Sequence, residues 1–151
     1  MAQPPTSVTT QLVPHTHDIF VWNGVLNRGH IMRLTSRAPG TKRLLIFADS
    51  FAGQIASLFS LVFPDILVLH TLSFDADQVD RFKPTHVLFE AAERFLRHLP
   101  TEGESTSDVL VEKLQTGDER TTSAVSEWLA EAQPPLDPAL LVDVDRLRAA
   151  L

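Results

Sequence analysis

The stretch Arg43-Leu44-Leu45-Ile46-Phe47-Ala48-Asp49-Ser50-Phe51 decides the fold. Leu44 to Phe47 is apolar without alternation, which is how a strand buried on both faces of a sheet reads. Asp49 and Ser50 follow at once and carry oxygens that cap a helix. Phe51 to Phe63 (FAGQIASLFSLVF) has the length and apolar content of a buried helix, and Pro64-Asp65 stops it. The pattern predicts a strand over 43–48 and a helix over 50–62 packed on one face of its sheet.

Downstream, Ile66 to Leu69 (ILVL) predicts a second buried strand over 66–70. Asp75 to Phe82 reads as a short polar helix, Lys83-Pro84 breaks it, and Thr85 to Glu90 (THVLFE) predicts a third strand over 85–90. Strand, helix, strand, helix, strand with short connections is the pattern of parallel strands joined by right-handed crossovers. Upstream, His30 to Thr35 alternates as an edge strand does. Residues 1–29 read as a loosely packed leading segment with at most one short strand, at Ile19-Phe20-Val21-Trp22. Beyond residue 100, helices are predicted over Asp108–Gln115, Thr121–Glu131 and Pro138–Leu151.

The expected architecture is a three-layer α/β sandwich with a mainly parallel central sheet and a helical C-terminal tail. Residues 30–151 form one domain, recognisable chiefly over 43–100. Its core is expected to include Leu45, Phe47, Ile55, Leu58, Phe59, Leu67, Leu69, Val87 and Phe89.

Composition narrows the function. The chain has 151 residues, 44% of them hydrophobic, which suits a globular domain able to bury roughly 70% of its unfolded surface. Thirteen Lys and Arg against nineteen Asp and Glu give a net charge of −6. That balance argues against nucleic acid as a partner, because phosphate recognition needs clustered bases. No stretch approaches the ~18 apolar residues of a membrane span. The chain has no cysteine, which excludes disulfides, thiolate metal sites and a Cys nucleophile. The six glycines form no phosphate loop, and Asp65, Asp75, Asp77 and Asp80 are too scattered for a metal site; no metal and no cofactor is expected. Met1 to Ser7 lacks the basic and apolar regions of a secretion signal, so the sequence as it stands reads as cytoplasmic.

The chemistry centres on Ser50. In an open α/β sheet, ligands bind outside the carboxyl ends of the strands, and Ser50 falls at such an end. Its hydroxyl would stand above the sheet, beside the amides of the first helical turn from Phe51 onward, and such donors suit a developing oxyanion. Gly53, one turn on, would let a substrate or a neighbouring backbone approach closely. The plain alternative is that Asp49 and Ser50 only cap the helix.

The order KRLLIFADSFAG, then FPDILVLH, FKPTHVLFE and AAERFLRHLP resembles the SGNH (GDSL-type) hydrolase superfamily. Within it, the likeness is to the SGNH-like acetyltransferase domain of the alginate O-acetyltransferase AlgX/AlgJ type. It spans residues 30–100 and rests on Ala48-Asp49-Ser50, where the family has Gly-Asp-Ser, and on Glu93-Arg94. The resemblance implies Ser50 as the acyl-accepting nucleophile, its own N–H as an oxyanion donor, and Asp49 as the residue that holds the turn. It implies Glu93 and Arg94 as residues that order a loop or contact substrate. The implied substrate is a carbohydrate or an acetylated small molecule, with a protein as a further source of the acyl group, and the implied compartment is the periplasm if the chain belongs to a longer exported one.

A serine nucleophile needs a base, and here the chain departs from the family. No Asp-x-x-His follows His98. The upstream Asp-x-His of the acetyltransferase group is represented only by His15-Thr16-His17-Asp18, whose carboxylate comes after the histidines. The oxyanion Gly and Asn of the family are absent, since Asn23 and Asn27 both precede the serine. His70 ends the second core strand on the functional edge and stands as a base or as a structural residue. His30 and His86 fall at strand starts, which a parallel sheet would place at the opposite edge. Two functional readings stay open: an O-acetyltransferase or acetylesterase, and a non-catalytic SGNH-like domain that binds polysaccharide or a partner protein. A flavodoxin-like regulatory domain is a third, disfavoured because it would want an acidic cluster around a strand-end Asp with a Lys just after the third strand, and no such Lys stands there.

Overall fold

A computed structural model describes residues 19–95, 103–131 and 136–151. Five strands form one mixed sheet: β1 (Ile19–Trp22), β2 (Ile31–Thr35), β3 (Arg43–Ala48), β4 (Asp65–His70) and β5 (His86–Glu90), in the order β1-β2-β4-β3-β5. β3 is central to the parallel part. It pairs with β4 from Arg43↔Asp65 to Ala48↔His70 and with β5 from Leu44↔His86 to Ala48↔Glu90. β2 is added antiparallel to β4, and β1 antiparallel to β2.

The expected edge strand at 30–35 is therefore interior, covered on its outer side by β1. β1 takes the edge because its side chains are mostly exposed, while Ile31, Met32 and Leu34 of β2 are buried. Strand reversal here also means that the start of β2 lies beside the ends of β3 and β4.

Both faces of the sheet are apolar, as the unalternating sequence of β3 demands. Leu45, Phe47, Leu67, Leu69 and Ile31 point to one cluster, and Leu44, Ile46, Ala48, Ile66, Val68, Met32 and Leu34 to the other. Each fully buried Leu, Ile or Phe contributes ~1.5–3 kcal/mol relative to exposure. The second cluster is covered by α1 (Ala52–Phe59). The first is covered by α2 (Ala76–Phe82), α3 (Thr106–Gln115), α4 (Glu119–Ala130), α5 (Pro138–Leu141) and α6 (Val144–Ala150).

Helix α1 is shorter than the apolar run that encodes it, and it is not buried all round. Ala52, Ala56 and Ser60, one small residue per turn, are buried, the two alanines against the sheet, whereas Leu58 is 61% exposed and Leu61 and Val62 about half. Leu58 thus leaves the expected core, as does Val87 at 48% on the end strand β5; Ile55, Phe59 and Phe89 are only partly covered. Expected helix 138–151 is two helices, broken where Val142 is extended and Asp143 caps α6.

Aspartates start most helices. Asp75, Asp118, Asp137 and Asp143 each accept an amide of the following first turn, and Ser105 with Asp108 forms a capping box at α3. Asp75 is 1% exposed rather than solvated. Its Oδ2 also accepts from Thr106 N at 2.5 Å and Thr106 Oγ1 at 2.7 Å, joining the starts of α2 and α3. Asp65 is likewise no helix-end residue. It lies in β4 and takes Arg33 through both carboxylate oxygens and Arg43 through one, all at 2.9 Å.

Candidate functional site

The crossover β3–α1–β4 runs over one face of the sheet, and the next, through α2 to β5, runs over the other. The chain thus goes from β3 to β4 on one side and returns past β3 to β5 on the other, and the carboxyl ends of β3 and β5 bound a topological switch point, where open α/β sheets bind ligands. Asp49 and Ser50 stand there.

Asp49 is 6% exposed. Its Oδ1 accepts from Phe51 N at 3.0 Å and its Oδ2 from Ala92 N at 2.9 Å, so one carboxylate folds the turn after β3 and ties it to the segment after β5. The helix cap is not as expected. Phe51 occupies the N-cap position of α1 without a side-chain cap, and its N–H donates to Asp49 instead of standing free for an oxyanion. Glu90, opposite Ala48 at the end of β5, lies against Asp49. Burial first, then the Asp49 charge and a hydrogen bond with it, push the Glu90 carboxyl above its ordinary range, and its buried Oε2 has no partner among the described residues. Two acids this close favour one shared proton.

Beside this turn opens a cleft of about 310 Å³, lined by Ser50, Gly53, His70, His30 and Asn27 and walled by Phe20, Trp22 and Met32. Ser50 is exposed, and its Oγ makes no hydrogen bond to the described residues. A Cβ at Gly53 would meet no atom of the described residues within 4 Å, so none of their backbone requires glycine there and the position opens the cleft. His70 is half-buried; burial, then the neighbouring His30, lower its pKa, and Asp49 opposes them.

His30 and Asn27 are the residues that sequence reasoning missed. A parallel β2 would put His30 at the far edge; the antiparallel β2 brings it to the cleft, where His70 N donates to its carbonyl at 3.0 Å. Its ring stands 5.3 Å from that of Trp22, and its Nδ1 is 2.9 Å from the Val25 carbonyl. Asn27 belongs to a tight loop between β1 and β2. Buried Asn23 holds that loop, donating to Gly29 O and accepting from Val25 N and Ile31 N. Lys113 of α3 donates from Nζ to the carbonyls of Leu26 at 2.8 Å and Arg28 at 3.2 Å, on either side of Asn27. Asn27 itself has φ 58°, a left-handed conformation that asparagine tolerates better than most residues. Gly29, at φ +84°, lets Leu110 of α3 pack where a Cβ would come within 2.9 Å of it. The only sequence signal for this loop was its Asn and Gly content.

The remaining expected residues divide. Glu93 is exposed and opens a single 3-10 turn (Glu93–Phe95), just after the Ala92 amide that binds Asp49. The Arg94 side chain, His15, His17 and His98 lie outside the described residues. His86 stays at the opposite edge, its ring 5.1 Å from Phe63. Among the described residues, no three His, Asp or Glu side chains group as metal ligands would, and no helix is long and apolar enough to cross a membrane.

No family model and no curated protein matches the chain. Solved structures similar to it include a DHHW family protein from Eubacterium siraeum, at 20% identity and TM-score 0.40 over 51% of this chain and 29% of that one. Bacillus cereus PatB1 is similar too: 19% identity and TM-score 0.39 with a sulfonyl adduct, and 20% and 0.38 in a second structure, each over 52% of this chain and 26% of PatB1. This chain thus matches under a third of the length of those proteins, and the meaning of its cleft rests on its own geometry.

Proposed function

We propose that this protein transfers or hydrolyses an acyl group, with Ser50 as nucleophile, on a three-layer scaffold of the SGNH type. The observation that carries the reading is the meeting of an exposed serine and two imidazoles in one cleft, between the turn after β3 and the ends of β2 and β4. Ser50 Oγ attacks the acyl carbon as an imidazole of the cleft accepts its proton. The tetrahedral oxyanion rests against the Ser50 amide at the start of α1, and the leaving oxygen takes the proton back as the acyl-enzyme forms. A sugar hydroxyl or water then attacks, the same imidazole accepting its proton and returning it to Ser50. Asp49 keeps the turn folded through its two amide bonds, and Glu93 and Arg94 stand on the segment that Asp49 anchors.

The substrate fitting this reading is an acetylated carbohydrate or small molecule, with a protein as a further acyl source. The direct test is hydrolysis of a chromogenic acetyl ester by wild type and Ser50→Ala. Loss of at least about a hundredfold in the variant is expected; equal rates in both would remove Ser50 from the chemistry. A binding-only role is the second reading, favoured by the absence of a hydrogen bond at Ser50 Oγ among the described residues. Polysaccharide retention by Ser50→Ala and wild type alike, with no turnover by either, is its signature.

A further inference from the structure

We infer that His30, not His70, is the base that takes the Ser50 proton, with the Val25 carbonyl as the group that orients it. This rests on the reading of Ser50 as a nucleophile and specifies how that site works. Three observations converge on His30. The ring lines the same cleft as Ser50, brought there by the reversed direction of β2. Its Nδ1 stands 2.9 Å from the Val25 carbonyl, an acceptor only, so Nδ1 must carry the hydrogen and Nε2 is left as the free basic nitrogen. Trp22 packs on the ring at 5.3 Å and limits its rotation. Val25 is itself fixed, 1% exposed in the core and bonded through its N–H to Asn23. The carbonyl thus does for His30 what a carboxylate does in a triad, without the negative charge. His70 has no such support: no described residue holds its ring by a hydrogen bond.

The environment keeps His30 ready to accept a proton. Burial lowers its pKa more than the Val25 hydrogen bond raises it, so the ring is neutral at neutral pH. Around the two imidazoles stand Asp49 after β3 and Lys113 on α3, which act on His70 in opposite directions. A carbonyl partner cannot match the charge of a carboxylate in stabilising the imidazolium, so a carbonyl-oriented base predicts a slow but pH-dependent nucleophile.

The test is labelling of the full chain with a fluorophosphonate, in which Ser50 Oγ displaces fluoride at phosphorus and its proton passes to the base. Rates are taken across pH 5 to 9 for wild type, Ser50→Ala, His30→Asn, His30→Ala and His70→Asn. Asn at 30 can keep an amide N–H toward Val25 while deleting Nε2, which separates basicity from folding. Wild-type labelling is expected to rise with pH to a plateau, with a midpoint below the ordinary histidine value. His30→Asn should be slower by about a hundredfold or more and lose that profile. Added imidazole should restore labelling of His30→Ala, and His70→Asn should keep the wild-type profile. A profile lost in His70→Asn but kept in His30→Asn overturns the assignment while leaving Ser50 in place. Wild-type labelling no greater than that of Ser50→Ala overturns both.

Discussion

Glu90 shows how one side chain at the switch point couples the turn to pH. It ends β5 with one oxygen buried and without a partner among the described residues, and it faces the carboxylate that holds the serine turn. Its pKa is raised in the folded protein, so the folded state favours the protonated acid. The stability that this contributes is fully present below the ordinary glutamate value of 4.5 and is lost as pH rises through the folded value. Glu90→Gln imitates the protonated acid at every pH. The variant should match wild type at pH 4 and exceed it at pH 7 in denaturant midpoint at unchanged slope. A variant less stable than wild type at pH 7 would mean that the ionised carboxylate is a needed partner rather than a strained neighbour. His30 runs the other way: its pKa is lowered, so its contribution is present above 6.5 and lost as pH falls.

At the scale of elements, the joint between α2 and α3 is the most exposed to damage by one substitution. Asp75 caps α2 and satisfies both polar groups of Thr106, all buried. Asp75→Ala removes a cap and leaves a buried amide and hydroxyl unpaired. Unfolding free energy should fall by roughly 2–4 kcal/mol, read from urea midpoints, against a few tenths for an exposed aspartate such as Asp77. Elements also show what the sequence made legible. β3, β4 and β5 were readable because an apolar run without alternation has few other homes than a sheet covered on both faces. The extent of α1 was not, because Leu58, Leu61 and Val62 are as apolar as core residues yet exposed, while Ala52, Ala56 and Phe59 pack against the sheet. The direction of β2 was illegible for a different reason. Alternation in Ile31 to Thr35 encodes which residues face inward but not which way the strand runs, and direction decides whether His30 lines the same cleft as Ser50. The Asp49-Ser50 turn was legible from its place after a buried strand, whereas its partner Ala92 is a backbone amide that no residue pattern announces.

For the whole molecule, the sheet separates two kinds of polar cluster. At the edge away from the cleft, Asp65 clamps Arg33 and Arg43, and both guanidinium groups stand over the Phe82 ring, at 5.6 and 4.0 Å. That assembly joins β2, β3, β4 and α2. At the other edge, the serine comes from the turn after β3 and the imidazole of His30 from the β1–β2 hairpin. The hairpin is joined to β3 by residues 36–42, where Arg37 and Pro39 to Lys42 are exposed and Gly40 has no atom of the described residues within 4 Å of a would-be Cβ. The hairpin is therefore a detachable cassette, and the protein can be cut in two without cutting its sheet ladders. Residues 1–39 and 40–151, co-expressed as separate polypeptides, should reassociate through the β2–β4 ladder and recover wild-type Ser50 labelling. Neither piece should label alone, and a silent reassembled pair that still co-purifies would mean that covalent continuity through Gly40 is needed to seat His30. Split this way, the reactivity of one serine becomes a reporter of whether two polypeptides have met.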